Sequence, residues 1–227
     1  IGIASKMGEL IERNDTHSTF PKDAILKAIG DIEEVSGVTY APTQIEAIET
    51  ALNEAVMILT GGPGTGKTTV IKGLVHVYAE LHGISLNPSD YAQKGEPFPI
   101  TLVAPTGRAA KRLAESTELP AMTIHRLLGF TGLEKEEETE REIGGRLLII
   151  DEMSMVDTWL AHQLLKALND DVQVVFVGDQ DQLPPVGPGQ VLKDLLASQK
   201  VPTVELTDVY RQAEGSTIIE MAHQIKQ

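Results

Sequence analysis

"GGPGTGKTT", Gly61 to Thr69, follows directly on the apolar run "AVMILT" (55–60). It fits the spacing G-x-x-x-x-G-K-[ST], with Gly61, Gly66, Lys67 and Thr68 in the fixed positions. Each residue type there has a physical task. Glycines let the backbone curl until successive N–H groups face phosphate oxygens, and the helix that follows aims its positive end at the same anion. Lys67 is a point charge for β- and γ-phosphates, and the Thr68 hydroxyl suits Mg²⁺. An apolar strand before the loop and a helical pattern after it give the motif its meaning. Gly62, Pro63, Gly64, Thr65, Gly66, Lys67, Thr68 and Thr69 are therefore predicted to hold a nucleotide's phosphates.

Outward from the loop, buried-strand runs alternate with helical patterns. The runs are "AVMILT" (55–60), "ITLVAP" (100–105), "RLLIID" (146–151), "VQVVFVG" (172–178) and the weaker "PTVELT" (202–207). They are rich in Val, Ile and Leu without polar alternation, so both faces of a mostly parallel sheet should be covered. The fold class is α/β, a mostly parallel sheet covered by helices on both faces and carrying a phosphate-binding loop. Between the strands, "APTQIEAIETALNEA" reads as a helix capped by Thr43 with Glu46 three residues on, and Ile45, Ile48, Leu52 and Ala55 on one face. "KTTVIKGLVHVYAELHG" should run to a C-terminal Gly83. "DTWLAHQLLKALND" should start at Asp157, with Leu160, Leu164, Leu168 and Trp159 as core. "SLNPSDYAQKGEPFP" (85–99) reads as a surface loop, and residues 1–39 as two short helices leading into a main domain over 40–227.

A phosphate loop asks for an acidic partner at another strand end. "RLLIIDEMSM" supplies Asp151 for the metal, and Glu152 beside it is placed to activate water. "VFVGDQDQLPPVGPG" ends a further strand in a polar cluster, where Gln182 is either a γ-phosphate sensor or part of a plain polar loop.

The 227 residues carry 41% apolar and 23% charged residues, the mix of a globular protein with one large domain. No apolar run approaches the ~20 residues of a membrane helix, and no secretory signal is visible. The absence of cysteine rules out disulfides and thiolate metal sites. A cytoplasmic protein without a membrane partner is the expectation. The net charge of −14 argues against nucleic acid only superficially, because binding needs a local basic patch. Much of the acid sits in "EKEEETERE" (134–142), six Glu against Lys135 and Arg141, within a loop or hairpin insertion about 131–145. The chain opens on Ile1 without Met and stops at "AHQIKQ" inside a helical pattern, which reads as a piece of a longer protein.

"GGPGTGKTT", "APTGRAAKRL", "TIHRLLG", "LLIIDEMSMVD", "GDQDQLPPVGPG" and "LTDVYRQ" stand in the order and approximate spacing of superfamily 1 helicases. The chain resembles the RecD branch, RecD-like DNA helicases and exodeoxyribonuclease V alpha subunits, over about residues 40 to 225. The resemblance implies the first RecA-like motor domain of an ATP-dependent DNA helicase moving 5′ to 3′ on single-stranded DNA, with duplex ends or forks as substrates and other recombination-repair subunits as possible partners. It implies that Gln44, an exposed residue of a helix's first turn, reads the adenine edge. Lys67 and Thr68 would take phosphate and Mg²⁺, Asp151 the metal, Glu152 the proton of water, Gln182 the γ-phosphate, and Arg211 of "VYRQ" the charge of the transferring phosphoryl group.

"APTGRAAKRL" and "TIHRLLG" fall where such helicases hold single-stranded DNA, which implies Thr106, Gly107, Arg108, Thr123 and His125 as contacts. Lys111 and Arg112 either add charge there or are solvated helix faces. With 4% aromatic residues, base stacking is not the main grip. A second motor domain, a separating pin and a nuclease metal cluster have no counterpart in this sequence, so slow turnover is expected of this chain alone. The helicase half of a conjugative relaxase, or an ATP-gated DNA-binding switch that never translocates, are the alternative readings.

Overall fold

The computed structural model describes residues 2–16, 19–129, 145–182 and 189–207. In chain order the elements are α1 (Gly2–Thr16), α2 (Lys22–Ser36), α3 (Pro42–Asn53), β1 (Val56–Gly61), α4 (Lys67–His82), α5 (Pro88–Ala92), β2 (Ile100–Ala104) and α6 (Gly107–Thr117). There follow β3 (Ala121–Thr123), α7 (Ile124–Leu127), β4 (Leu147–Ile150), α8 (Thr158–Lys166), β5 (Gln173–Gly178), α9 (Val191–Ser198) and β6 (Thr203–Leu206). The strands form one sheet in the order β3-β2-β4-β5-β1-β6, and every pairing is parallel.

Side-chain alternation along the strands sorts the interior into two layers. Met57, Leu59, Ile149 and Val175 point to one face, under α2, α3, α4 and Leu113 of α6. Val56, Ile58, Leu148, Ile150 and Phe176 point to the other, where Met7 and Leu10 of α1, Leu160 and Leu164 of α8 and Leu192 of α9 cover them. Both faces being dry explains the unbroken apolar runs: every residue of β1, β4 and β5 is buried. At the sheet edge, β6 alternates exposed and buried residues.

Local chemistry sets the helix ends. α4 stops where Gly83 turns left-handed at φ 63°. α8 starts at Asp157, whose side chain accepts from the Leu160 N–H at 2.8 Å. The start of α3 differs from the sequence expectation: it begins at Pro42 after Ala41, and the Gln44 side chain accepts the Ala41 N–H at 2.8 Å. Pro42 lacks the N–H that a first-turn residue leaves unpaired anyway, so it displaces Thr43 as the start signal.

Other departures have equally local causes. Residues 85–99 contain a single helical turn, because Asn87 caps the Ser89 N–H at 3.1 Å and Pro88 follows it. The three-residue β3 was not foreseen; it is too short to carry a periodic signal. Trp159 is 46% exposed and not core, because the stripe that buries Leu160 and Leu164 leaves its neighbour on the outer side of α8. α1 and α2 are each 15 residues long, and they pack against α8 and α4 respectively. The insertion about 131–145 lies outside the described residues, Gly145 excepted. Among the described residues no helix is long and apolar enough to cross a membrane.

One buried polar side chain ties the layers together. Gln173 at the start of β5 is 4% exposed, and its amide nitrogen donates to the carbonyls of Ala51 (3.2 Å), Leu52 (3.3 Å) and Glu54 (2.9 Å). These are the carbonyls that the C-terminus of α3 leaves without helical partners. Gln173→Leu should therefore lower the unfolding free energy by roughly 1–3 kcal/mol, because the carbonyls stay buried and lose their donor. The denaturant midpoint should fall at unchanged slope; an unmoved midpoint would show that the amide contributes nothing.

Candidate nucleotide and nucleic-acid site

Parallel strands bring all their C-terminal ends to one edge, and the order β4-β5-β1 puts the loops after β1, β4 and β5 side by side there. The loop after β1 is the glycine-rich one. Gly64 and Gly66 sit at φ 73° and 87°, a left-handed backbone that glycine adopts without steric cost. Gly66 is the residue before α4, so the loop turns straight into the helix axis. Within α4, Val70 N–H bonds Gly66 O at 3.0 Å, while the N–H groups of Lys67, Thr68 and Thr69 belong to the first turn that no helical carbonyl reaches. Lys67 Nζ lies across this cradle, donating to Gly61 O (2.6 Å) and Gly62 O (2.9 Å). Thr65 Oγ1 closes the loop by donating to Gly62 O at 2.7 Å. First-turn amides, helix dipole and the Lys67 ammonium stand together where the loop enters α4, a set suited to a polyphosphate.

Asp151 follows β4 and accepts the Glu152 N–H at 2.8 Å. Burial pushes its carboxyl up to about 6, against the pull of the Glu152 N–H and the positive charges of Lys67 and Arg112. The charge of Lys67 is thus felt at Asp151 although their strands are not neighbours. Glu152 adopts a left-handed backbone at φ 54°, unusual for a residue with a side chain and worth on the order of 1 kcal/mol of strain. A 3₁₀ turn, Met153–Met155, follows. From it, Ser154 Oγ donates to Gln182 Oε1 at 3.4 Å, joining the loop after β4 to the loop after β5. In that loop Asp179 is buried, accepts the Asp181 N–H at 3.0 Å through its side chain and the Gln182 N–H at 3.2 Å through its carbonyl. Among the described residues no group of three or more His, Cys, Asp or Glu converges. A magnesium ion here would be held by Asp151, Thr68 and phosphate oxygens, the sparse protein shell that Mg²⁺ favours.

At the other end of the sheet β2 and β3 pair, with Ala104 opposite Thr123. Each strand leads into a helix capped by a threonine: Thr106 Oγ1 accepts the Ala109 N–H at 3.2 Å, and Thr123 Oγ1 accepts the Arg126 N–H at 3.1 Å. Two helix starts therefore open side by side on the edge that also carries the phosphate loop. Gly107, Arg108, His125 and Arg126 are exposed around them. Lys111 and Arg112 are exposed on α6, and the charge of Arg112 reaches towards Asp151.

Of the residues singled out from the sequence, the phosphate loop, Asp151, Glu152 and Gln182 lie on this one edge. Gln44 is 3% exposed, not an exposed first-turn residue, and its Oε1 is engaged by Ala41. Arg211 lies outside the described residues. Sequence reasoning missed Ser154, and it missed the packing of Tyr40 against α4. The signal for Tyr40 was available: Gly73 interrupts a helical pattern at a cost of ~1 kcal/mol against Ala, which calls for a packing reason. A Cβ on Gly73 would meet the Tyr40 hydroxyl at 2.6 Å.

A family model described as AAA domain matches residues 39–227. The ATP-dependent RecD2 DNA helicase of Deinococcus radiodurans is 39% identical over 180 residues, covering 79% of this chain and 23% of that protein. The RecBCD enzyme subunit RecD of Mycobacterium tuberculosis is 38% identical over 171 residues, covering 67% of this chain and 28% of its own length. The chain thus spans about a quarter of the length of these curated relatives. In fold it is similar to the Pif1 helicase of Candida albicans, with a TM-score of 0.53 at 24% identity over 84% of this chain and 44% of that one. Matched along the whole of its sheet and phosphate loop, the chain belongs to the AAA domain family.

Proposed function

We propose that this chain is the ATP-binding and ATP-hydrolysing motor domain of a DNA helicase that translocates on single-stranded DNA, 5′ to 3′, and opens duplex at ends or forks. The observation that carries the reading is the convergence of Lys67 with Asp151 and Glu152 on one sheet edge. The first-turn amides of α4 and the Lys67 ammonium bind the β- and γ-phosphates, Lys67 exchanging loop carbonyls for phosphate oxygens. Thr68 and Asp151 hold Mg²⁺, which when bound neutralises charge on the phosphates. Glu152 takes the proton of the attacking water, and its backbone N–H holds the Asp151 carboxylate in place. Gln182, whose Oε1 faces Ser154, keeps its amide nitrogen for the γ-phosphate. Gln44 serves the adenine end and Arg211 adds charge to the transferring phosphoryl group.

Single-stranded DNA is assigned to the paired helix starts at Thr106 and Thr123, with Gly107, Arg108 and His125 beside them, a donor set suited to backbone phosphates. Subunits of a recombination-repair complex are proposed as partners, since the mycobacterial relative is named as a RecBCD subunit. The test is ATPase activity of the full-length protein with and without single-stranded DNA, beside Lys67→Ala, with strand displacement on a 5′-tailed duplex. DNA should stimulate hydrolysis, and Lys67→Ala should lose nucleotide binding. Normal hydrolysis by that variant would refute the role of the loop, and stimulation without strand displacement would favour a switch over a motor.

A further inference from the structure

Ser154 stands where two loops of the site meet. β5 ends at Gly178, where a Cβ would lie 3.2 Å from the Ser154 nitrogen, 3.3 Å from the Met153 nitrogen and 2.8 Å from Leu192 Cδ2. The missing side chain lets the turn after β4 rest directly on the end of β5. That turn is closed by its own hydrogen bonds, Met155 N–H to Glu152 O at 3.0 Å and Val156 N–H to Met153 O at 3.1 Å, and the Met153 side chain is buried beneath it. On the facing loop the buried Asp179 shapes the backbone. Its carboxylate accepts the Asp181 N–H at 3.0 Å and its carbonyl the Gln182 N–H at 3.2 Å. Gln182 thus reaches the turn with its main chain already tied, and the Ser154 hydroxyl donates to its side-chain oxygen at 3.4 Å.

We propose that Ser154 is a positioning residue for γ-phosphate recognition: its hydroxyl decides which end of the Gln182 amide meets the phosphates, and it ties that amide to the turn that carries Glu152. The inference rests on the nucleotide-site reading above and extends it to a residue that touches no phosphate itself. A primary amide has a donor end and an acceptor end of nearly equal size, and either can face a ligand. Against an anionic phosphoryl group only the donor end attracts. The acceptor end then has to be satisfied elsewhere, and the Ser154 hydroxyl supplies the proton for Oε1. With that bond made, Nε2 keeps both of its N–H groups for phosphate oxygens. Hydrogen bonds in such a chain polarise one another, so the Ser154 contact tightens when a γ-phosphate is present and slackens when it is gone. Ser154 stands two residues after Glu152 in the same turn, so the sensor is held to the backbone from which the base projects. Without the hydroxyl the amide is free to turn over and present its oxygen to the anion. That cost falls on ATP and spares ADP, which has no γ-phosphate to read.

The experiment is a double-mutant cycle on the full-length protein, with Ser154→Ala, Gln182→Ala and the two combined. It measures kcat and KM for Mg·ATP with single-stranded DNA present, and equilibrium binding of Mg·ADP and of a non-hydrolysable Mg·ATP analogue. Ser154→Ala should lower kcat by about three- to tenfold, the worth of one hydrogen bond. It should weaken the ATP analogue and leave Mg·ADP within about twofold. Once Gln182→Ala is in place, Ser154→Ala should cost nothing more, because the hydroxyl acts only through that amide. A normal kcat in Ser154→Ala would overturn the proposal, and so would equal losses for ADP and the ATP analogue, or losses that multiply in the double variant. If Gln182→Ala itself hydrolyses ATP at the normal rate, the sensor role falls and the proposal with it. That result is distinct from a loss in Gln182→Ala alone, which overturns only the part given to Ser154. If the unsubstituted protein binds neither nucleotide, the nucleotide-site reading itself is refuted.

Discussion

Glu152→Gln is expected to slow ATP hydrolysis by ~10²–10⁴-fold while nucleotide affinity stays within a few-fold of the unsubstituted protein. The argument is geometric first. Glu152 leaves the end of β4 with a left-handed backbone at φ 54°, which turns the chain sharply beside Asp151. Such a conformation is retained at a cost and is met most often where a side chain must be held in a particular place. The amide of Gln keeps the size and most of the hydrogen bonding, but it cannot accept a proton from water. Binding relies on the loop amides and Lys67, which the substitution does not touch. Single-turnover hydrolysis and equilibrium binding of a fluorescent ATP analogue separate the two effects. A variant that hydrolyses at the normal rate would remove Glu152 from the chemistry, and one that also loses binding would make its role structural.

Asp151→Asn should do the opposite to stability of what it does to activity. Burial lifts the Asp151 carboxyl from 3.8 to about 6, so the folded protein holds a proton there more tightly than the unfolded chain does. The sign follows from linkage. The contribution of this group to stability is fully present below about pH 4 and is lost as pH rises through 6, leaving an ionised, desolvated carboxylate at pH 7.5. A shift of about two units corresponds to roughly 3 kcal/mol at most. The neutral Asn can still accept the Glu152 N–H, so the variant is expected to be more stable by on the order of 1–3 kcal/mol at pH 7.5, in EDTA and without nucleotide. The gain should shrink through pH 6 and vanish near pH 4. Denaturant unfolding at several pH values checks it, and a variant less stable than the parent at pH 7.5 would contradict the desolvation account. Hydrolysis, in contrast, should fall by roughly 10²-fold or more if Asp151 is the metal ligand.

The two substitutions bracket how this site is built. A carboxylate that lowers stability when nothing offsets its charge stands where the charge of Lys67 is felt, and a magnesium ion bound there would offset it further. Its neighbour, Glu152, stands in a left-handed backbone at φ 54°, which costs strain of its own. Both costs fall on adjacent residues at the end of one strand, which is why the motif is short and easily read.

Much of that reading needed only local physics. The runs at 55–60, 146–151 and 172–178 are apolar on both sides of the pleat, which is how a strand between two helical layers must be composed. The glycines before Lys67 announce a backbone that a Cβ would hinder, and Asp157 and Gly83 mark helix ends by their own hydrogen-bonding chemistry. Where a competing local signal existed, sequence reasoning chose wrongly: Thr43 is a good cap, yet Pro42 and the side chain of Gln44 start α3 two residues earlier. Trp159 stands in a leucine-rich stripe, and a rotation of one residue about the helix is enough to leave it outside.

By itself, then, the sequence determined five of the six strands among the described residues and marked the glycine-rich loop and the Asp151–Glu152 pair at strand ends, because each of these is written in neighbouring residues. Only the tertiary structure decided that β5 stands between β1 and β4, so that Asp151 feels Lys67, that Ser154 meets Gln182, and that α2 closes a cavity against His76. Those contacts join residues tens of positions apart in the chain. They follow from the order in which strands pair and helices pack, and no short-range pattern encodes that order.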